Sequence, residues 1–459
     1  MMRVIALLIV AIAVGCGPFK VRTPVPYELT DAAQIKGMPG NIRFWGDTGE
    51  DELETSLVES LEQEREYLGI TDKRFRLPPS SYLALSGGGA DGAFGAGLLN
   101  GWTARGDRPQ FKVVTGISTG ALIAPFAFLG SDYDDELKAV YTTIQSKDVF
   151  VMRGILTILR GDAVGDTAPL GKLAAKYIDK TVLTRVAEEH RKGRRLYIGT
   201  TNLDAQRPVV WDMGVIASVG TDEALDLFRT VLIASASIPG AFPPQYIDVE
   251  VSDADAEAYR IMQRDAATTS EGSDVPLATM FDEMHVDGGT TAQVFLAPLM
   301  LDLALIHDEA GGSRDRTLYV IRNTRIAPEY SKVRAWVPDI AAKALETVLK
   351  GQGVGNLYML YVQAKRNHMK YQLAFVPDDV PIATMSHETF DKDAMNKLYD
   401  LGYKMGVEGY PWLDSPPGMI RPRDYNPIDG LPDPATRPSL LVTPGASPAS
   451  RPVEAESAP

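Results

Sequence analysis

The sequence predicts an α/β fold, a three-layer α/β/α sandwich around a largely parallel central sheet. Three observations lead there. Short apolar runs that suit buried strands (Tyr82–Leu85, Val113–Thr115, Leu196–Thr200, Val209–Trp211, Leu318–Ile321) alternate with helical segments. Two consecutive units pass from strand through a glycine turn into a helix. Residues 81–410 are enough chain for a sizeable core in one domain.

The first unit runs from Tyr82-Leu83-Ala84-Leu85 into Ser86-Gly87-Gly88-Gly89-Ala90-Asp91-Gly92, then a helix to Arg105 with Phe94, Leu98, Leu99 and Trp102 at helical spacing. A glycine loop between strand and helix aims unpaired N–H groups outward, which suits a phosphate or an oxyanion. Gly87-x-Gly89-x-x-Gly92 formally matches a dinucleotide fingerprint. That motif wants an acidic residue closing a second strand, and Asp107 sits in a polar turn instead. The second unit passes from Phe111–Val114 through Gly116-Ile117-Ser118-Thr119-Gly120 into an apolar helix, Ala121 to Leu129. Gly116 and Gly120 permit a sharp turn that lifts the Ser118 hydroxyl clear at a helix N-terminus, a nucleophile elbow. A plain glycine turn is the bland reading of either motif in a chain with 41 glycines; their succession within one βα unit is the specific signal.

With these residues the chain resembles the patatin-like phospholipases, in which a Gly-Gly-Gly-x-x-Gly loop precedes a Gly-x-Ser-x-Gly elbow and a later Asp-Gly-Gly, here Asp287-Gly288-Gly289. Thr200–Asp204 and Ala234–Pro244 are also similar to that family, and the likeness spans Tyr82 to about Gln293. The resemblance implies a Ser-Asp dyad of Ser118 and Asp287, with Gly87, Gly88 and Gly89 as oxyanion donors beside the Thr119 N–H. It implies no cofactor and no metal. Read from residue types alone, a Ser-His-Asp triad stays open, with His307, His368 or His387 as base. His190, in the basic run Arg185–Arg195, reads as exposed, and His285 shares a strand face with Asp287. One residue departs from the family: Asp91 stands where the loop usually carries arginine or lysine.

Residues 1–15 read as a signal peptide, with Arg3 ahead of the apolar run Val4–Val14, too short to span a bilayer. Ala13-Val14-Gly15-Cys16 resembles a bacterial lipobox. It implies acylation of Cys16, the only cysteine, and an envelope location, with Gly17 favouring the outer membrane facing the periplasm. Residues 16–50 read as an extended tether. Residues 51–80 read as an acidic helix with the stripe Leu53, Leu57, Val58, Leu61, followed by a polar boundary. Within the catalytic domain, 81–410, residues 252–276 form an acidic insertion without calcium-loop spacing. Ala335–Leu349 and Val354–Met369 read as two helices, Tyr371–Val376 as a strand, and Asp391–Gly406 as the last helix. Residues 411–459 read as a disordered Pro/Ser/Ala-rich tail.

A net charge of −14 excludes a nucleic-acid footprint and any general electrostatic pull to anionic membranes. The expectation is a lipid-anchored serine acyl hydrolase acting on carboxylic esters of lipids, of phospholipase A or lysophospholipase type. The alternatives are a triad esterase on small soluble esters and an inactive patatin-like module that binds lipid or a partner. Oligomeric state has no signature in the sequence.

Overall fold

The computed structural model describes residues 21–72, 75–152, 162–266, 279–296, 312–378 and 390–418. The signal segment, Cys16, His307, His387, the end of the acidic insertion and the tail beyond residue 418 lie outside the described residues. The described chain up to Pro416 forms one unit.

The strands of the main sheet are β1 (Arg43–Trp45), β2 (Ser80–Leu85), β3 (Phe111–Gly116), β4 (Arg195–Asn202), β5 (Arg207–Asp212), β6 (Gln245–Glu250), β7 (Met280–Asp287), β8 (Arg316–Arg322) and β9 (Met369–Phe375). They lie in the order β1-β5-β4-β3-β2-β8-β9, and β7 joins β4 to β6. The ladder from β4 through β3, β2 and β8 to β9 is parallel; β1, β5, β6 and β7 add antiparallel pairs at the other side.

The helices are α1 (Glu50–Tyr67), α2 (Gly92–Arg105), α3 (Thr119–Leu129), α4 (Asp134–Thr142), α5 (Ala168–Tyr177), α6 (Lys180–Arg191), α7 (Met213–Val219), α8 (Asp222–Ser235), α9 (Asp253–Ala266), α10 (Val337–Arg366) and α11 (Lys392–Glu408). Strand alternation sorts the core into two faces. Leu83, Leu85, Val114, Leu196 and Ile321 pack with α2, α3, α6, α8 and α11, whereas Tyr82, Ala84, Val113, Leu318 and Val320 pack with α1 and α10. Three layers result, as the alternation predicts.

Four expectations are corrected. Residues 21–49 are no free tether: Leu29, Ala33, Ile42 and Phe44 are buried, and β1 pairs with β5 at the sheet edge. Arg22 holds Asp204 and Asp282, each at 2.6 Å, and Arg43 pairs with Glu283, so ionic clasps fix what proline and glycine leave unpatterned. The two helices after residue 335 are one, α10. His190 is buried rather than exposed, because Asp212 and Arg195 close over it, and its burial lowers its pKa to about 4. The tail begins later than Pro411, since Leu413 bridges Leu373 and Trp412 stacks among Trp102, Tyr319 and Tyr410. The described part of the acidic insertion is the mostly exposed helix α9, seated through Ala256 and Tyr259 on Val249, Val251 and Phe281.

Candidate active site

Ser118 sits between the end of β3 and the start of α3 with φ 54° and ψ −124°, a strained conformation for a residue with a side chain. The flanking glycines allow it. A Cβ on Gly116 would strike the Gly120 carbonyl and the backbone of Ala121, and one on Gly120 would strike the carbonyls of Leu85 and Ser86. The turn is the strand–elbow–helix the spacing predicts, and its serine faces the N-terminus of α3.

Asp287 closes β7. β3 pairs with β4 up to Gly116 opposite Ile198, and β7, running the other way, ends with Asp287 opposite Thr200. The two strands therefore meet end to end along one edge of β4, with Gly199 in the gap. The Ser118 hydroxyl hydrogen-bonds with the Asp287 carboxyl, whose Oδ1 also accepts the Gly289 N–H at 2.7 Å. Burial pushes the carboxyl up to about 7, opposed by those two hydrogen bonds.

Ser235 at the end of α8 is a site residue that sequence reasoning passes over. Its hydroxyl accepts the Ser118 N–H at 3.0 Å and donates to the Gly199 carbonyl at 2.6 Å. Two residues on, the Ser237 carbonyl accepts the Asp287 N–H at 2.8 Å. The segment Ala234–Pro244 thus braces both partners; the signal was its likeness to the family, which names a block without giving its serines a task.

The glycine loop departs from expectation at one position. The Gly87 N–H donates to the Gln293 carbonyl at 3.0 Å, so it is spent on holding the loop and is no oxyanion donor. Gly88 and Gly89 take positive φ, 157° and 56°, and among the described residues their N–H groups and that of Thr119 donate to no backbone acceptor. The loop is pinned from behind: Asn323 Nδ2 donates to the Ser86 carbonyl at 2.7 Å and the Asn323 N–H to Ser86 Oγ at 2.9 Å. Asp91 follows the loop. Burial and the charge of Glu329 raise its pKa to about 7, while Arg325 and Lys350 oppose that shift. Two cations from elsewhere in the chain are therefore within electrostatic reach of the position where the loop's own is missing.

An apolar pocket opens at Ser118, with about 850 Å³ of atom-free space, part of it open to solvent. Leu122, Tyr141, Leu170, Leu173, Ile178 and Phe242 are among its walls, together with Ile144 and Val149 from the connection before α5. Tyr141 hydrogen-bonds with Thr119 Oγ1 at 2.6 Å, tying α4 to the elbow.

The described histidines are elsewhere. His368 is exposed at the turn before β9, at the opposite end of the parallel strands from Ser118. His285 is fully buried between Thr200 Oγ1 and Glu283, part of the clasp with Arg43. No cluster of residues able to hold a metal ion occurs among the described residues, and no described helix is long and apolar enough to cross a membrane.

The fold is thus a three-layer α/β sandwich in which a serine elbow faces a buried carboxyl. Residues 83–300 match the family model of the patatin-like phospholipases, a family whose activity in general is lipid acyl hydrolysis. Among solved structures, the crystal structure of VipD from Legionella pneumophila is similar at 12% identity, with a TM-score of 0.33, over 72% of this chain and 66% of that one. The chain thus spans slightly less than two thirds of VipD's length in that structure. No curated protein matches it.

Proposed function

We propose that the protein hydrolyses carboxylic esters of lipids, as a phospholipase A or lysophospholipase, through a Ser118–Asp287 dyad. The observation that carries this is the apolar pocket opening at a strained serine that hydrogen-bonds a buried carboxyl. An acyl chain fills such a pocket while its carbonyl lies at the elbow. Asp287 accepts the Ser118 proton as the hydroxyl attacks the carbonyl carbon. The oxyanion is met by the N–H groups of Gly88, Gly89 and Thr119 and by the N-terminus of α3. Protonated Asp287 then gives its proton to the departing alkoxide, leaving an acyl-serine, and a water deprotonated by Asp287 releases the fatty acid. An ordinary aspartate near 3.9 is a weak base, and burial brings this one toward neutrality, where base catalysis is efficient. Acylation at Cys16 would hold the enzyme at an envelope membrane beside its substrate, a part of the proposal that palmitate labelling of wild type and Cys16→Ser tests.

The dyad is tested by fluorophosphonate labelling of wild type, Ser118→Ala and Asp287→Asn. Labelling that is lost in the first variant and collapses in the second supports the proposal. Unimpaired labelling of Asp287→Asn would move the base elsewhere, and an unlabelled, folded wild type would favour a binding module.

A further inference from the structure

The segment that leaves β8 at the C-terminal end of the sheet does not fold back onto the core. It runs out through Tyr330 and Trp336 into the first three turns of α10, and from Val337 to Val348 nearly every residue is exposed. Val337, Ile340, Ala341, Ala344, Leu345 and Val348 recur at i, i+3, i+4, i+7, i+8 and i+11, one stripe on the helix. Val337 is 77% exposed, Ile340 53% and Val348 66%, values that leave the stripe bare in water. Asp339, Lys343, Glu346 and Lys350 occupy the opposite face.

Charge says what covers the stripe. In a chain of net charge −14, Arg325 to Lys350 carries five cationic and three anionic side chains. Each anion is matched inside the segment, Asp339 by Arg334, Glu346 by Lys343 and Glu329 by both Lys350 and Arg325, and the net charge of the segment is +2. An amphipathic helix with a net positive segment and an aromatic residue at its start suits the surface of an anionic bilayer. Position agrees. The base of the arm, Arg325, Glu329 and Lys350, lies within electrostatic reach of Asp91 beside the oxyanion loop.

We infer that residues 330–348 are a docking element that lies in the plane of an anionic lipid surface and seats the active-site end of the sheet on it. The choice of a lipid occupant rests in part on the lipid-ester reading of the site; the stripe and its charge do not.

The test uses the full-length chain with Cys16→Ser, so that no acyl anchor competes. Sedimentation with vesicles of phosphatidylcholine, alone or mixed with phosphatidylglycerol, compares it with the same chain carrying Val337→Asp, Ile340→Asp and Val348→Asp. The expected result is at least tenfold tighter partition onto the anionic vesicles, lost at least tenfold in the triple variant. Quenching of fluorescence by brominated phosphatidylcholine should disappear in Trp336→Phe. Circular dichroism and turnover of a short soluble ester should be unchanged, since these residues lie outside the catalytic groups. Equal partition of the two chains, or none by either, overturns the inference. A concentration-dependent dimer abolished by the triple substitution, without vesicle binding, also overturns it and assigns the stripe to a second copy. Vesicle binding without hydrolysis of any ester would sink the dyad and leave the docking element standing.

Discussion

The Ser235 hydroxyl bridges the Ser118 N–H and the Gly199 carbonyl, so the last turn of α8 is stitched to the elbow and to β4 by one side chain. Removing it leaves a buried N–H and a buried carbonyl without partners. Ser235→Ala should cost about 1–3 kcal/mol in urea unfolding. It should also lower kcat with little change in KM, because the elbow loosens while the apolar pocket is untouched.

The dyad predicts a steep and unequal pair of losses. Ser118→Ala should reduce ester turnover to background and abolish fluorophosphonate labelling. Asp287→Asn keeps the shape and an acceptor for the Gly289 N–H but cannot take a proton, and should cost on the order of 10²–10⁴ in kcat.

With Asp287 as the proposed base, the pH dependence follows from its environment. Its carboxyl is raised from an unfolded value near 3.8 to about 7 in the fold, so the base is formed only as pH rises through that value. Turnover should climb with pH across that range, and Asp91→Asn should sharpen the profile by removing a second group that titrates near 7. Stability moves the opposite way. Between about 4 and 7 the folded state holds this proton more tightly than the unfolded chain does. The contribution is therefore full at acid pH and lost as pH rises through about 7. Asp287→Asn should be the more stable protein at pH 8, by on the order of 2–3 kcal/mol, and should lose that advantage by pH 4 in denaturant titrations.

Gly288 tests the meeting of the strands. A Cβ there would strike the Gly199 carbonyl and Ile117 Cδ1, both next to the reacting groups. Gly288→Ala should destabilise by about 2 kcal/mol or more and abolish turnover. Gly171→Ala is the control: nothing lies within 4 Å of its added methyl, and in the interior of α5 it should stabilise by about 0.5–1 kcal/mol without touching activity.

Acyl length should be set by the pocket wall. Ala174 in α5 lines the pocket that opens at Ser118, and Ala174→Phe fills part of it. It should lower kcat/KM for long-chain esters at least tenfold while turnover of an acetyl ester stays near wild type.

What could be read in advance was what local chemistry dictates. Gly116 and Gly120 fix a turn wherever they fall between a strand and a helix. Asp287 stands out through its likeness to the family's Asp-Gly-Gly, and the glycines after it let the chain turn away at the strand end. The partnership of Ser118 with Asp287 came from family likeness, not from spacing, since nothing local ties residue 118 to residue 287. Reading failed where burial depends on distant partners. Phe44 is buried only because β5 offers an edge, and three residues of strand carry no period. Gly351 and Gly353 look like a helix break, yet α10 runs through them: the missing side chain at Gly353 makes room for the guanidinium of Arg322. Nothing local ties up the Gly87 N–H, since its acceptor, the carbonyl of Gln293, lies more than two hundred residues away.

β4 serves as a ruler. The strands that end near Ser118 and at Asp287 are both indexed on its hydrogen-bond ladder, at Ile198 and Thr200. A ladder slips only in whole residues, about 3.3 Å at a time, and each slip turns the side chains to the other face. The separation of the proposed nucleophile and base is therefore a discrete quantity. Substitutions elsewhere in the sheet can weaken the fold by degrees, but they should leave the pair either in register or out of it. Partly destabilised variants are expected to show a smaller active fraction at full turnover per active site, a distinction that active-site titration reads directly.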